Sequence, residues 1–367
     1  MRRAEPHARL VYVGSRYGLE TAVMTRYSWV KFYKLPIRGI ARPGQRPLWG
    51  LWALLALAQL PLALAQALSI VLKERPKIII GVGGYGAFAP LLWGVLLRIP
   101  CYVHEQNFVP GMVTRLFAPW AKKVFLTYPQ TARWLRARHV VVTGLPVRPE
   151  LLSARPDPEQ FGLRSDRKTV LVFGGSRGSQ TLTEAALAAQ HHLSEVQFLI
   201  VTGQASQASL DLHLRRLSAG EGEQSRRSLV PYIHEMGTAL ATADLVICRA
   251  GAGTLTELAA LRKPAIVIPW PGAANDHQTA NATQLARLGL FTVIRESELT
   301  PQRLAQEIKN RLTGVREGGP NPYTREFTNS LEFILREVLL DATSTHDTPA
   351  LHRNRWRRHE WVGQSLF

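Results

Sequence analysis

The chain has 367 residues and a formal net charge of +18, from 45 Lys+Arg against 27 Asp+Glu. A hydrophobic content of 46% excludes a disordered chain and a polytopic membrane protein, and the length suits two domains that each bury a core. Two cysteines, Cys101 and Cys248, exclude a disulfide framework and a Cys-rich zinc site and fit a reducing compartment. The charge is uneven. Residues 1–150 carry 21 basic and 5 acidic groups, and residues 151–367 carry 24 and 22. The halves therefore face different partners, or only the first faces an anionic one. Met1-Arg2-Arg3 is followed by Ala4-Glu5-Pro6-His7, which has no apolar core for a secretory signal.

In chain order, Leu10–Gly14 reads as a short buried strand ending at a glycine, and residues 15–46 are mixed and basic. Pro47 to Leu72 is a run of 26 residues without a charge. Its length suits a membrane span. Pro61, Gln59, Gln66 and the many alanines favour a helix on or in a domain instead. Trp49 and Trp52 follow Arg38, Arg42 and Arg46, a pairing that suits a membrane interface. A packed core helix over Leu62–Leu72 stays open. From Lys77 the pattern alternates strand, glycine loop and helix. Strands are expected at Lys77–Ile80, Pro100–Val103, Val124–Thr127 and Val140–Val142, and a helix over about 89–97. A second such unit follows Pro149. Its strands are Thr169–Phe173, Gln197–Val201, Leu229–Tyr232, Asp244–Cys248 and Pro264–Pro269, with helices from Thr181 and near Leu255. Alternating strands and helices predict parallel, doubly wound sheets, so the fold class is α/β with two tandem domains. Ser218–Ser228 reads as a polar surface loop, and residues 343–367 as a disordered basic tail.

Three glycine-rich turns follow strands and open helices: Gly81–Gly86, Gly174–Ser179 and Ala250–Thr254. Such turns aim backbone N–H groups and a helix N-terminus at an anion, usually a phosphate. Together they point to a phosphorylated ligand in the cleft between the domains. No P-loop G-K-[ST] occurs. Asp276–Asn281 is either a helix N-cap or a set of hydrogen-bonding groups for a sugar. Glu257 lies one helical turn after Thr254, and is either a cap or an acceptor for two ribose hydroxyls. His104-Glu105 ends a strand at the sheet edge where such folds bind ligands. The pair is either structural or a general base.

These motifs together resemble the MurG family of bacterial N-acetylglucosaminyltransferases over about residues 10–340. Gly81-Val82-Gly83-Gly84-Tyr85, His104-Glu105-Gln106-Asn107 and Val109-Pro110-Gly111 are similar to its acceptor domain. Thr143–Arg148, Gly174–Gly178, Arg249–Glu257 and Asp276–Ala282 are similar to its donor domain, with Ala250 where the family has Ser. The resemblance implies a GT-B glycosyltransferase with an acceptor domain over 1–148 and a donor domain over 149–322. A C-terminal helix over 323–342, packing back on the first domain, is expected after them. It implies inverting transfer from UDP-N-acetylglucosamine to the 4-hydroxyl of the muramyl sugar on undecaprenyl-diphosphate muramyl-pentapeptide, at the cytoplasmic face of the plasma membrane. By the same resemblance, Arg148, Ser176 and Ile233 border the uridine and diphosphate pocket. Ala252, Gly253 and Thr254 hold the donor diphosphate, Glu257 the ribose, and Gln278 the transferred sugar. Gly83, Gly84 and Tyr85 hold the acceptor diphosphate, with Glu105 and Asn107 near the muramyl sugar. Glu105 and His104 are the catalytic candidates. No metal and no cofactor are implied.

The basic half is then expected to face a diphosphate lipid and the anionic inner leaflet, with Trp49 and Trp52 as membrane contacts, and not nucleic acid. The resemblance leaves the oligomeric state undetermined. Two other readings remain open: a related transferase acting on another lipid, and an inactive UDP-sugar-binding membrane protein.

One departure stands out. The family opens with a strand and a Gly-Gly-Thr-x-Gly-His loop, whose His is a leading base candidate, and Leu10–Gly14 resembles the family's second strand. A doubly wound sheet places its first strand centrally, so the sheet is expected to split and expose two edges. A misplaced start at Met1 is the expectation this raises.

Overall fold

The computed structural model describes residues 8–17, 21, 24, 27–38, 49–175, 178–203, 226–287, 289, 291–314 and 324–343. Ser176, most of the polar loop and the tail from 344 lie outside these residues, as do the side chains of Trp49 and Trp52. The N-terminal domain runs β1 (Val11–Ser15), β2 (Lys31–Leu35), α1 (Trp49–Glu74), β3 (Ile79–Gly81) and α2 (Phe88–Leu96). It continues with β4 (Cys101–Glu105), α3 (Met112–Phe117), β5 (Lys123–Leu126) and β6 (Val140–Val142). The C-terminal domain has α4 (Pro149–Leu152), β7 (Lys168–Phe173), α5 (Gln180–Gln190), β8 (Val196–Val201), β9 (Arg227–Val230), α6 (Met236–Thr242) and β10 (Leu245–Cys248). After these come α7 (Ala252–Ala260), β11 (Ala265–Val267), α8 (His277–Ala286), β12 (Phe291–Val293), α9 (Pro301–Thr313) and α10 (Thr324–Thr343).

Six parallel strands make the C-terminal sheet, in the order β12-β11-β10-β7-β8-β9. Its central strands read Thr-Val-Leu-Val-Phe, Phe-Leu-Ile-Val and Leu-Val-Ile-Cys, all buried. Apolar residues on both faces require cover on both sides. Two core clusters supply it, one packing Leu171, Val246 and Leu255, the other Val172, Ile247 and Leu304. Helix starts follow local chemistry. The Ser179 hydroxyl accepts from the Leu182 N–H at 3.4 Å, and Thr300 accepts from Arg303 N–H at 3.2 Å just before Pro301.

Among the described residues, the N-terminal strands form two separate sheets. β1 and β2 form a two-stranded parallel sheet, and β3-β4-β5-β6 form a separate four-stranded one. Helix α1 joins them. A stripe of Ala63, Ala67 and Val71 is buried, with Leu35 of β2 and Ala89 of α2 in the same core. The Trp93 indole of α2 donates to the Leu64 carbonyl at 2.8 Å. At its end, Glu74 accepts from Lys31 Nζ at 2.7 Å and from the Tyr33 hydroxyl at 2.5 Å, and pairs with Arg9. Lys31 and Tyr33 hold its carboxyl down at about 2. Leu54–Glu74 is long and apolar enough to cross a membrane, yet its alanine stripe packs against β2 and helix α2. The basic stretch at 15–46, to which the sequence assigned no element, contains β2.

Helix α10 packs on the first domain. Ile334 and Val338 are buried against Tyr102 and Phe125, whose rings stack 6.0 Å apart. Lys123 Nζ lies 2.7 Å from Glu337 Oε2 and 3.1 Å from Asp341 Oδ2. The Tyr102 hydroxyl donates to Asp341 at 3.1 Å. Burial and the Asp341 carboxylate raise the Tyr102 phenol, so it stays a donor. Val338→Ala removes two buried carbons here. It should lower the urea stability of the N-terminal domain by about 2 kcal/mol, and an unchanged midpoint would show that α10 does not anchor on this sheet.

Candidate functional site

The strands of both sheets end on a common cleft. On the C-terminal side, β7 runs into Gly174-Gly175 and the turn that opens α5. Gly178 has φ +74°, and a Cβ there would meet the Thr202 carbonyl at 2.2 Å, so only glycine lets the turn close. β10 leads through Arg249-Ala250-Gly251 into α7. The N-cap Gly251 offers no side-chain cap, and a Cβ on Gly253 would meet nothing within 4 Å. The first turn of α7 thus presents N–H groups and the positive end of a helix dipole to open space. Ala252, Gly253 and Thr254 sit there.

Glu257 is the sixth residue of α7, too far along to cap it, so the capping alternative fails. Its Oε1 accepts from Arg148 Nε at 3.2 Å. Burial raises the Glu257 carboxyl above its usual range, partly offset by Arg148. The two expected donor-binding residues are therefore brought together, one from α7 and one from the strap between the domains. Beneath them Arg249, nearly buried, donates to the Ser179 hydroxyl at 3.0 Å and to the Ile268 and Pro269 carbonyls at 3.4 Å, and pairs with Glu296. Sequence reading gave this arginine no role, although its place before the glycine turn marks it.

On the N-terminal side, Gly83 and Gly84 have φ of +82° and +71°, which turn the chain sharply from β3 into the short 3-10 turn Tyr85–Ala87. These three acceptor candidates line a cavity of about 790 Å³ with Trp270 and His277 from the other domain. The loop also carries the G-x-G-x-x-G spacing of dinucleotide-binding turns. The acid ending the next strand is not left for a ribose, however. Glu105 Oε1 accepts from the Asn107 N–H at 3.0 Å and its amide at 3.3 Å, and Oε2 accepts from the Gly111 N–H at 2.9 Å. Glu105 is buried and braces the 107–111 loop. His104 is buried too, and donates from Nε2 to the Gly144 carbonyl at 2.9 Å. Burial lowers its basicity, against the opposing effects of Gly144 and Glu105. Neither catalytic candidate has a free, solvent-facing base.

The two sides meet at Asn281, which is fully buried. Its Oδ1 accepts from the Phe108 N–H at 2.8 Å, and its Nδ2 donates to Asn107 Oδ1 at 3.1 Å and to the Ala250 carbonyl at 3.5 Å. One amide thus ties the acceptor loop to the donor turn. The expected sugar-binding segment 276–281 therefore divides. Gln278 Oε1 accepts from the Trp270 N–H at 2.9 Å, leaving its NH₂ for a ligand. Asp276 makes no capping bond to the backbone, contrary to the capping alternative, because its carboxylate accepts from the Thr279 hydroxyl at 2.6 Å. Asn275 and Asp276 both take left-handed backbone, φ +53° and +50°, an uncommon pairing for non-glycine residues. Ile233 is packed in the core cluster that holds Val147 and Phe173, on the loop after β9. Ser176 lies outside the described residues. Among the described residues, no group of three His, Cys, Asp or Glu side chains gathers to hold a metal.

Residues 1–126 match the family model of the glycosyltransferase family 28 N-terminal domain, and residues 169–321 that of its C-terminal domain. A UDP-N-acetylglucosamine--N-acetylmuramyl-(pentapeptide) pyrophosphoryl-undecaprenol N-acetylglucosamine transferase from Anaeromyxobacter is 37% identical over 309 residues, 84% of this chain and 78% of that protein. The protein of the same name from Acetivibrio thermocellus is 30% identical over 92% of each chain. Among solved structures, Acinetobacter baumannii MurG superposes with a TM-score of 0.67 at 25% identity, over 92% of this chain and 93% of that one. The calicheamicin glycosyltransferase superposes at 0.65 and 14% identity, over 94% and 93%, a likeness of fold alone.

His104 supplies a pH test of the acceptor-side packing. Its folded pKa lies below the unfolded value near 6.5, so the unfolded chain binds more protons in between. Its contribution is complete above about pH 6.5 and is lost as the pH falls from there through the folded pKa. The acid loss of stability should be shallower in His104→Asn than in the parent. Parallel urea titrations at pH 7.5 and 5.5 check this, and equal slopes would place the imidazole in solvent.

Proposed function

The chain belongs to the MurG group of glycosyltransferase family 28 and is a GT-B glycosyltransferase, and from that premise we propose how its residues divide the work. The reaction is transfer of N-acetylglucosamine from UDP-N-acetylglucosamine to the 4-hydroxyl of the muramyl sugar on undecaprenyl-diphosphate muramyl-pentapeptide, with inversion. The observation that carries the reading is the Arg148–Glu257 pair beside the uncapped start of α7, on a domain tied through Asn281 to Asn107 and Phe108 of the first. The open N–H groups of Ala252, Gly253 and Thr254 suit a diphosphate. With Arg148 they stabilise the charge that develops on the departing UDP, which is the largest electrostatic demand of the reaction. Glu257 accepts the ribose hydroxyls, and the free amide NH₂ of Gln278 serves the transferred sugar. Ile233 and Ser176 border the uridine.

Gly83, Gly84 and Tyr85 receive the acceptor diphosphate, and Asn107 stands near the muramyl sugar. Glu105 holds the 107–111 loop through Asn107 and Gly111, and His104 holds the Gly144 carbonyl, so both act by positioning the acceptor side. The site of action is the cytoplasmic face of the plasma membrane. The exposed side of α1 supports this: Leu54 and Leu57 are 62% and 55% exposed, on a helix set in the strongly basic half. Trp49 and Trp52 begin the same helix.

Two measurements test these roles. Glu257 takes up a proton at a higher pH than an ordinary glutamate. UDP affinity should therefore fall as the pH drops towards that raised pKa. Glu257→Gln should weaken UDP by about tenfold at pH 7.5 and remove the pH dependence. Calorimetric titration reads both, and a pH-dependent Glu257→Gln variant would remove Glu257 from the nucleotide site. Leu54→Glu with Leu57→Glu should abolish sedimentation with anionic vesicles and leave UDP affinity unchanged. Undiminished sedimentation would show that α1 does not face the lipid.

A further inference from the structure

The loops that follow β3, β4 and β5 lie side by side at the cleft, because those strands are neighbours in one parallel sheet. Strand spacing sets the roots of adjacent loops about 5 Å apart. The loop after β3 carries Gly83, Gly84 and Tyr85, and the loop after β4 carries Asn107 and Phe108. The loop after β5 is the short 3-10 turn Pro129–Trp134. It is tied firmly to its neighbour. Buried Thr131 donates from Oγ1 to the Phe108 carbonyl at 2.8 Å and to the Asn107 carbonyl at 3.4 Å. The Phe108 ring packs edge-on against Tyr128 at 5.8 Å and against Trp134 at 5.3 Å. The Phe108 N–H is itself held by Asn281 of the other domain.

Arg133 stands on this aromatic mount. Its guanidinium carbon lies 4.0 Å from the Trp134 ring centroid and 5.5 Å from that of Phe108, and the residue is exposed. Stacking engages the face of a guanidinium and leaves its in-plane N–H groups for an anion. Among the described residues no carboxylate pairs with it. Glu105, in the adjoining loop, has both oxygens taken by the N–H groups of Asn107 and Gly111. A fork held in this way suits a carboxylate, through two parallel N–H···O bonds. We propose that Arg133 binds a carboxylate on the peptide of the lipid-linked acceptor, a step that rests on the acceptor assigned above to this side of the cleft. In that molecule the muramyl sugar carries the diphosphate at one carbon and the peptide at another, so the sugar lies between them. The loops follow the same order: diphosphate after β3, sugar after β4, peptide after β5. The acceptor diphosphate is not the ligand of Arg133, because its loop is rooted two strands away, about 10 Å.

The test uses the full chain and zwitterionic vesicles holding undecaprenyl-diphosphate muramyl-pentapeptide, or the same lipid with every peptide carboxylate converted to its primary amide. Sedimentation gives the affinity for each lipid without UDP-sugar, and initial rates give the KM for each in sugar transfer. The parent should bind the free acid about fivefold more tightly than the amide, with the same ratio in KM. Arg133→Gln should bring the acid to the affinity of the amide and leave the amide where it was, and Arg133→Lys should restore part of the preference. A parent that does not distinguish the two lipids overturns the proposal. So does an equal loss for both lipids in Arg133→Gln, which would make Arg133 a brace of the turn. Weaker sedimentation of Arg133→Gln with acceptor-free anionic vesicles would assign the guanidinium to lipid headgroups and overturn it as well. Carboxylate-dependent binding with no sugar transfer to either lipid would uphold the Arg133 site and overturn the transfer reaction proposed above.

Discussion

One buried amide ties the loops of the two domains together at the cleft. Asn281 lies in helix α8 of the second domain, but two of its three hydrogen bonds go to Asn107 and Phe108 of the first. A buried amide left without partners costs about 1–3 kcal/mol, so the two loops are held in the register that satisfies it. The acceptor loop is in turn braced by Glu105 and the donor turn by Arg249. Both ionisable groups face inward and work on the backbone. What remains free at the cleft is the uncapped start of α7, the Arg148–Glu257 pair and one half of the Gln278 amide. These groups suit a nucleotide diphosphate and its sugars.

The N-terminal domain depends on helix packing. Among the described residues, its two sheets are joined through the alanine stripe of α1 and the Trp93–Leu64 hydrogen bond. Alanine allows α1 to approach β2 and helix α2 closely, while Leu54, Leu57 and Leu62 stay exposed on its other side. The uncharged run thus serves two surfaces at once. Its small residues close the domain, and its large ones make an exposed apolar face in the basic half of the chain.

Much of the fold was legible because the strands are buried on both faces and announce themselves as apolar runs ended by glycine. Val170–Phe173 runs into Gly174 and Leu245–Cys248 reaches a glycine turn at Gly251, whereas the apolar Cys101–Val103 passes into His104-Glu105. Lys31–Leu35 did not, since Lys-Phe-Tyr-Lys-Leu alternates charge with aromatics and lies on a two-stranded edge. Helix α9 was also passed over, although Thr300-Pro301 is a recognisable start signal. The donor turns were legible too, because glycine spacing encodes backbone geometry. Contacts between distant segments were not. Nothing in the row of letters places Asn281 on Asn107, or directs both Glu105 oxygens to N–H groups.

The account's central claim is that the two faces of this cleft hold a UDP-sugar and a lipid-linked muramyl acceptor for direct transfer. The most direct measurement is the mass of undecaprenyl-diphosphate muramyl-pentapeptide after incubation in anionic vesicles with the chain and UDP-N-acetylglucosamine. The account predicts a gain of one N-acetylglucosaminyl unit with one UDP released for each lipid modified. UDP that binds without any gain in lipid mass, or UDP released by hydrolysis alone, would contradict it.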